Sequence, residues 1–241
     1  MHTTIVHISE DLIDLLHPGC RSIDFVYTFT GNPAIKHLIE AIGIPHTEVG
    51  QVEVNDIPID FKYKVQNGDH IKVWGVKNAN ISNITTETDK EARFILDNHL
   101  GKLAAYLRML GFDTLYQNNY QDPELAIIAS KQNRILLTRD RRLLMRSTIN
   151  RGYWLRSQHP QQQAIEVIKR FKLIGKSKPF HRCLRCNGFI IPISKEAIMD
   201  KLLPLTRRYY EEFYICQSCN QIYWKGSHYE HMLNILRNME V

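Results

Sequence analysis

Four cysteines in the last quarter of the chain constrain its fold more than any other sequence feature. They form two Cys-x-x-Cys pairs, "CLRC" at residues 183–186 and "CQSC" at residues 216–219. Each pair can clamp a metal ion from one tight turn, and two such turns complete a tetrahedral shell of four thiolates. Because an all-sulfur shell leaves no open position, the spacing predicts a structural zinc site, although an iron–sulfur cluster would use the same ligands. The predicted ligands are Cys183, Cys186, Cys216 and Cys219.

Charge is distributed unevenly along the 241 residues. Residues 1–89 carry 6 basic and 12 acidic side chains, residues 90–175 carry 15 and 7, and residues 176–241 carry 10 and 6. The excess of positive charge after residue 89 suggests a polyanionic partner, such as nucleic acid. No apolar run reaches the ~18 residues that a membrane span requires, and the first residues form no signal peptide. We therefore expect a cytoplasmic protein with no membrane partner.

Residues 1–78 are predicted to form a small α+β domain. A helix is expected after Asn32 and Pro33, which suit its cap and its first position. Alternating apolar residues predict strands over residues 3–9, 22–29, 51–56, 59–65 and 70–76. The pattern resembles the ubiquitin-like β-grasp domains of sulfur carriers. Because this segment runs on into more chain instead of ending in a free Gly-Gly tail, we expect a binding or scaffolding module rather than carrier chemistry.

Residues 79–90 are polar and are predicted to be a linker, and residues 91–175 then alternate between strands and helices. Repeated β-α units imply a parallel sheet with helices on its faces. Strands are predicted at "RFIL" (93–96), "FDTLY" (112–116), "RILLT" (134–138) and "GYWLR" (152–156). Helices are predicted at "HLGKLAAYLRMLG" (99–111), "DPELAIIASKQN" (122–133) and "PQQQAIEVIKRF" (160–171).

Carboxylates follow two of these predicted strands. Asp97 comes directly after the first strand, and Asp140 follows the third. In an open parallel sheet, ligands bind at the carboxyl ends of the strands, so neighbouring strands would bring both acids into one crevice. Asp122, at the start of the helix that follows the second predicted strand, would join them there. Converging carboxylates repel one another unless a cation holds them, and Mg²⁺ or Mn²⁺ in such a site can activate water for displacement at phosphorus.

Most of these acids also have a structural interpretation. Asp140 is placed to cap a helix that begins at Arg141, and Asp122, before Pro123, is placed to cap the helix that follows it. Glu124 lies in a first helical turn, where its charge complements the helix dipole. A strand-end acid such as Asp97 has no comparable packing role.

Taken together, these stretches resemble the Mut-seven C-terminal RNase family, a PIN-like nuclease fold followed by a zinc ribbon. The resemblance rests on "FILDNHLGKLAAYLRMLGFDTLY", "DPELAIIASKQNRILLTRDRRLL", "RCLRCNG" and "CQSCNQIYWKGSH", and covers about residues 93–231. It implies a PIN-like domain over residues 91–175 and a zinc ribbon over residues 176–241. Members of the family are also found with an N-terminal ubiquitin-like module, which here is residues 1–78.

The resemblance also implies a divalent-metal-dependent ribonuclease that hydrolyses RNA. Its metal-binding and catalytic acids would be Asp97, Asp122 and Asp140. The basic candidates for substrate phosphate are Lys102, Arg108 and Arg139. One departure concerns "QDPEL", where the family often has an additional acid.

Two other interpretations stay open at the level of sequence. A chain with too few acids would be a non-catalytic RNA-binding adaptor, and a scaffold would use its β-grasp module to bind a protein partner. The segment "YWKGSH" is similarly open. Its aromatic and basic residues suit stacking on bases and contact with phosphate, and they equally suit packing of the ribbon against the nuclease domain.

Overall fold

The computed structural model describes residues 1–17, 22–76 and 92–238. The chain divides into two compact units, Met1–Glu91 with Ala126–Trp154, and Ala92–Leu125 with Leu155–Val241. The predicted linker at residues 79–90 lies outside the described residues. Within the described ranges, no helix combines the length and the apolar character that a membrane crossing needs.

A five-stranded mixed sheet forms within the described residues of the first unit. Its spatial order is β2-β1-β5-β3-β4, in which β1 and β5 are parallel and the other neighbours are antiparallel. This is the β-grasp arrangement that the sequence predicts. The strands are β1 His2–Ile8, β2 Asp24–Phe29, β3 Val49–Val54, β4 Ile57–Ile59 and β5 His70–Gly75.

One helix, α1 Ile35–Ala41, packs on this sheet. Leu38 and Ile39 of the helix are fully buried with Val6 and Ile71 of the strands. Two 3-10 helices, Glu10–Leu15 and His46–Glu48, lie in the connections. The core of this domain is therefore made of aliphatic side chains that alternate along the strands, as the sequence pattern requires.

Several boundaries in this domain differ from the prediction. Helix α1 begins at Ile35, with Ala34 as its cap, rather than at Pro33. Ala34 instead forms a bridge with Lys64, which holds the preceding backbone extended. The predicted strand over 59–65 is wrong. The sheet strand β4 ends at Ile59, and Lys64 forms its bridge with Ala34 instead of extending β4.

A tight turn that the prediction missed joins β3 to β4. Asn55 and Asp56 both have positive φ, at 52° and 66°, which matches the twist of a two-residue hairpin. A second turn, at Asn67-Gly68-Asp69, directly precedes β5, and Gly68 has a φ of 83°.

Residues 126–154 complete the first unit. Strands β8 Ile135–Thr138 and β9 Gly152–Trp154 are parallel neighbours, joined through the short helix α4 Arg141–Leu144. All four residues of β8 are buried, which explains its continuous apolar sequence. Helix α3, Asp122–Lys131, precedes β8 and contributes its later residues to this unit.

The second unit begins with a β-α-β segment. Strands β6 Arg93–Leu96 and β7 Asp113–Leu115 are parallel, as predicted, and helix α2 Gly101–Met109 joins them. Helix α5, Pro160–Arg170, packs on α2. The side chain of Phe94 is fully buried between Phe112 and Phe171, which form edge-on ring contacts with it.

A small antiparallel domain with the four cysteines follows in the same unit. Its sheet has the order β10-β11-β12. A 3-10 helix, Glu196–Lys201, lies between β10 and β11. The elements are β10 Ile190–Ile193, α6 Pro204–Tyr209, β11 Phe213–Cys216, β12 Ile222–Trp224 and α7 Ser227–Asn238.

Candidate functional site

The four predicted cysteines meet in one cluster. Their Sγ atoms all lie within 4.8 Å of one another. The sulfurs of Cys183 and Cys219 are 3.6 Å apart, and those of Cys186 and Cys216 are 3.4 Å apart. A tetrahedral zinc ion with Zn–S bonds of 2.3 Å would place its sulfurs about 3.8 Å apart. The cluster therefore has the donor set and the spacing of a closed metal site.

The two turns that carry the cysteines are built alike. In the first, the N–H of Asn187 donates to the Cys183 carbonyl at 2.9 Å, and Asn187 has a φ of 70°. In the second, the N–H of Asn220 donates to the Cys216 carbonyl at 3.0 Å, with a φ of 57°. Asparagine tolerates this left-handed backbone better than most residues, which explains why an Asn follows each pair.

Gly188 is required for the first turn. A Cβ at this position would lie 2.4 Å from the Ser218 hydroxyl and 3.0 Å from the Cys216 sulfur. Any larger residue would therefore push the two cysteine turns apart. The sequence Asn187-Gly188 after Cys186 therefore suits this tight turn.

Electrostatic effects differ between the thiols. Burial raises the pKa of Cys216, but hydrogen bonds from the main-chain N–H groups of Cys219 and Ser218 and from neighbouring thiols outweigh it, and the pKa falls to about 7. Burial raises the pKa of Cys186 to about 12, against the opposing hydrogen bond from the Gly188 backbone. The main-chain donors thus stabilise a thiolate at Cys216, which is the form that binds metal.

Tyr223 lies beside the cysteine cluster. Its hydroxyl lies 3.0 Å from the Cys183 sulfur, and burial, together with this hydrogen bond, raises the pKa of Tyr223. A hydroxyl that donates to a thiolate orients and stabilises it in the way that outer-shell partners do at metal sites. Of the residues in "YWKGSH", Tyr223 is thereby directed to the cluster and not to solvent.

Arg108 connects the first cysteine turn to helix α2. It is 5% exposed, and its guanidinium donates to the carbonyls of Thr114 at 3.0 Å, Leu184 at 3.0 Å and Arg185 at 3.2 Å. Burial lowers the pKa of Arg108, and the nearby Cys183 and Cys186 oppose that shift. The expectation that Arg108 binds substrate is corrected here, because the side chain is enclosed and its donors are used by the backbone.

Asn187 makes a second connection of the same kind. Its side-chain oxygen accepts from the Thr114 N–H at 2.9 Å, and its amide donates to the Asp113 carboxylate at 2.8 Å. The cysteine turn is therefore hydrogen-bonded to strand β7 as well as to helix α2. Sequence reasoning missed this role of Asn187, for which the signal would have been the Asn that directly follows Cys186.

Asp97 lies where the sequence predicts, directly after β6. It is half-buried, and its Oδ1 accepts the Asn98 N–H at 2.6 Å. The next carbonyl, that of Asn98, accepts from the Tyr116 hydroxyl at 2.8 Å. A Cβ at Gly101 would lie 2.8 Å from that hydroxyl. The backbone around Asp97 is thus held by Tyr116, and Gly101 leaves room for it.

Asp122 is exposed. It was predicted to be the cap that precedes α3, and it is instead the first residue of this helix. Glu124 is exposed in the same turn, and its carboxylate accepts the Gln121 N–H at 2.9 Å. This is the reciprocal hydrogen bond of a capping box. The structural interpretation of Glu124 is confirmed.

Asp140 caps α4, as its structural interpretation predicted. Its Oδ1 accepts the Arg142 N–H at 2.8 Å, while its own N–H donates to the buried Thr138 hydroxyl at 2.9 Å. Asp140 is exposed, as are Arg139 and Lys102. Asp97 and Asp122 belong to one unit and Asp140 to the other. Their convergence on one metal ion stays a prediction.

The β-grasp domain contacts the segment that carries Asp140. Glu48, which is 3% exposed, accepts the Trp154 N–H at 2.7 Å. His46 has its Nδ1 2.7 Å from the Glu40 carboxylate and its Nε2 2.7 Å from the Ile149 carbonyl. Sequence reasoning missed these residues, since no local pattern marks a contact between positions so far apart.

Arg141 and Trp154 complete this contact. The Arg141 side chain donates to the Leu15 carbonyl and lies 5.6 Å over the Trp154 ring, and the ring packs against the β-grasp core. The Trp154 indole N–H donates to the Arg139 carbonyl at 3.1 Å. The backbone on the amino side of Asp140 is therefore fixed by a residue that the β-grasp domain anchors.

Matches to two family models cover nearly the whole chain. The Mut7-C RNAse domain matches residues 92–236, and Mut7-C ubiquitin matches residues 1–80. No curated protein and no solved structure matches the chain. The first match takes in Asp97, Asp122, Asp140 and all four clustered cysteines, and the second takes in the β-grasp sheet. The chain belongs to the Mut7-C RNAse domain family and carries the Mut7-C ubiquitin domain as well.

Proposed function

We propose that this protein is a divalent-metal-dependent ribonuclease that hydrolyses RNA phosphodiesters. The observation that carries the proposal is the match of the Mut7-C RNAse domain over residues 92–236. Asp97 and Asp140, which follow parallel-sheet strands inside this range, support it with the chemistry that such a reaction needs.

Carboxylates of Asp97, Asp122 and Asp140 would hold the catalytic Mg²⁺ or Mn²⁺. Oxygen ligands of this kind suit both ions, and the side chains of Asp122 and Asp140 are exposed enough to be reached by ion and substrate. The bound ion would supply an activated water and neutralise charge at phosphorus. Asp140 would at the same time keep its hydrogen bond to the Arg142 N–H, which fixes the orientation of the carboxylate.

Substrate phosphates would be bound by Lys102 and Arg139. Both are exposed, Lys102 in the first turn of α2 after Asp97 and Arg139 directly before Asp140. Their positive charge would attract the backbone of RNA and hold it beside the acids. Arg141 is excluded from this role by its contacts with Leu15 and Trp154.

The cysteine cluster would hold a structural Zn²⁺. Two observations support it: the sulfur separations fit a tetrahedral shell, and the four thiols fill that shell without an open position. The metal would lock the two turns together, and Arg108 and Asn187 attach the first of them to helix α2 and strand β7. A reducing compartment such as the cytoplasm would keep these thiols available.

A non-catalytic RNA-binding adaptor is the second candidate function. The capping roles of Asp140 and Glu124 favour it, because each of these carboxylates already serves a helix end. For the β-grasp module, a protein partner would have to use a face other than the one formed by His46 and Glu48, which contacts residues 149 and 154 of the same chain.

The test is cleavage of end-labelled single-stranded RNA by the full-length, zinc-loaded protein with Mg²⁺ or Mn²⁺. We expect metal-dependent products from the wild type and none from Asp97→Asn or Asp140→Asn. Asp56→Asn is the matched control, because Asp56 is an exposed acid in the β-grasp hairpin. A wild type that binds RNA but never cleaves it would instead support the adaptor.

A further inference from the structure

A cavity of about 270 Å³ lies in the cysteine-bearing domain. One wall is apolar and includes Leu202, Leu203 and Ile222. Another is the backbone turn of the second cysteine pair, at Cys219 and Asn220. The volume is just below the ~300–1,000 Å³ of typical small-molecule sites, which suits one nucleotide better than a larger ligand.

Trp224 gives this cavity an aromatic surface. It lines the cavity and is 37% exposed. The Tyr210 ring lies 6.3 Å from it, and a Cβ at Gly226 would lie 2.8 Å from the indole nitrogen. The indole is therefore held between a neighbouring ring and the backbone, and an ordered, partly exposed indole is the surface on which an unpaired base stacks.

Two cationic side chains line the cavity. Arg185 and Lys201 both line it and are exposed, and no Asp or Glu is found among the described residues that line it. The backbone of Arg185 is fixed, because its carbonyl accepts from the buried Arg108. Two cations beside an aromatic surface match the charge and shape of a nucleotide, whose planar base adjoins an anionic phosphate.

The two residues that flank Trp224 in "YWKGSH" have other partners. The Tyr223 hydroxyl contacts the Cys183 sulfur, and the Lys225 ammonium pairs with Glu212 at 2.6 Å. Trp224 is thus the residue of this segment that the structure directs to the cavity. Packing of the ribbon against the nuclease domain stays an alternative role for Trp224, and its exposed fraction of 37% leaves surface for a base.

We infer that this cavity binds one unpaired nucleotide of single-stranded RNA, with the base on Trp224 and the phosphate between Arg185 and Lys201. The site rests on the proposed function, since it would bind RNA that the same chain cleaves elsewhere. It adds a second point of attachment that is independent of Asp97, Asp122 and Asp140. Its effect is on RNA affinity rather than on the cleavage step.

The experiment measures binding of a fluorescent oligouridine to the full-length, zinc-loaded protein without added Mg²⁺ or Mn²⁺. We expect Trp224→Ala to weaken binding about 5- to 100-fold, the range for loss of one stacked base. Trp224→Phe keeps an aromatic ring and should retain most of the affinity. Tyr209→Ala is the matched control, because Tyr209 is an exposed aromatic of the same domain that does not line the cavity.

Lys201→Ala tests the phosphate contact without disturbing an aromatic residue. We expect the slope of log affinity against log salt to fall by about 0.7, the value for one contact to single-stranded nucleic acid. Lys62→Ala, an exposed lysine of the β-grasp domain, controls for overall charge. Zinc content and urea unfolding of each variant show that the domain is intact.

The outcomes separate this inference from the proposed function. A wild type that binds and cleaves RNA, with both Trp224→Ala and Lys201→Ala binding as tightly as their controls, overturns the nucleotide site alone. A wild type that neither binds nor cleaves RNA overturns the proposed function and this site together. Weakened binding by both variants, with metal-dependent cleavage retained at saturating RNA, supports the site.

Discussion

Glu48 and Trp154 lie 106 residues apart in the chain and are joined by a hydrogen bond of 2.7 Å, from the Trp154 N–H to the Glu48 carboxylate. Glu48 belongs to the β-grasp domain, and Trp154 ends strand β9. The indole of the same Trp154 donates to the carbonyl of Arg139, which directly precedes Asp140. The β-grasp domain thus takes part in holding the segment that carries a proposed metal ligand.

Glu48→Ala is expected to lower the free energy of unfolding by about 1–3 kcal/mol, because it leaves the Trp154 N–H without its acceptor in a buried setting. Urea unfolding measures the change. The control is Glu10→Ala, which removes an exposed glutamate from the same unit and should shift stability by less than about 0.5 kcal/mol. Equal stability of the two variants would contradict the role given to Glu48.

Arg108 and Lys102 lie on the same helix. Substitution of Arg108 is expected to lower stability, whereas substitution of Lys102 is expected to weaken RNA binding. Arg108→Met removes the donors of three backbone carbonyls and should cost about 2–4 kcal/mol of stability. Lys102→Met, at an exposed position, should leave stability within about 0.5 kcal/mol and weaken RNA binding. Urea unfolding and RNA titration of both variants separate the two roles. A stable Arg108→Met variant with poor RNA binding would restore Arg108 as a substrate contact.

The Tyr223 hydroxyl is expected to support metal binding at the cysteines. Tyr223→Phe should weaken zinc affinity about 10- to 100-fold, the range for loss of an outer-shell hydrogen bond. Competition with a chromophoric chelator measures the affinity. Tyr214 pairs with Tyr223 across the sheet, so Tyr214→Phe is the matched control and should bind zinc like the wild type. Unchanged zinc affinity in Tyr223→Phe would show that the hydroxyl is dispensable.

Tyr116 is expected to position the backbone that follows Asp97. Tyr116→Phe removes the hydrogen bond to the Asn98 carbonyl and should lower the rate of RNA cleavage about tenfold, because small displacements of a catalytic group are costly. Tyr106→Phe, at a half-buried tyrosine of α2, is the control. Cleavage at saturating Mn²⁺ checks the effect, and a Tyr116→Phe variant with the wild-type rate would contradict it.

Local patterns were sufficient to predict much of this structure. The strands and helices of residues 93–171 follow from apolar periodicity and from capping residues, which act within a few positions of the chain. The cysteine turns follow in the same way from Cys-x-x-Cys-Asn, where both cysteines and the left-handed asparagine lie within five residues.

Contacts between distant positions could not be predicted from such patterns. Arg108 was predicted to bind substrate phosphate, yet its carbonyl partners Leu184 and Arg185 come 76 and 77 residues later. The predicted strand over 59–65 was too long because Lys64 pairs with Ala34, whose position only the folded chain defines. The contacts of Glu48 and His46 could not be predicted either, because their partners Trp154 and Ile149 lie more than 100 residues later.

The most direct test of the central claim is the binding of Mn²⁺ to the zinc-loaded protein, counted by electron paramagnetic resonance of the free ion. We predict one site in the wild type, weakened about tenfold or more by Asp97→Asn and by Asp140→Asn alike, since both would be ligands of one ion. Asp56→Asn, the exposed control, should bind Mn²⁺ like the wild type. An Asp140→Asn variant that binds Mn²⁺ as tightly as the wild type would contradict the account.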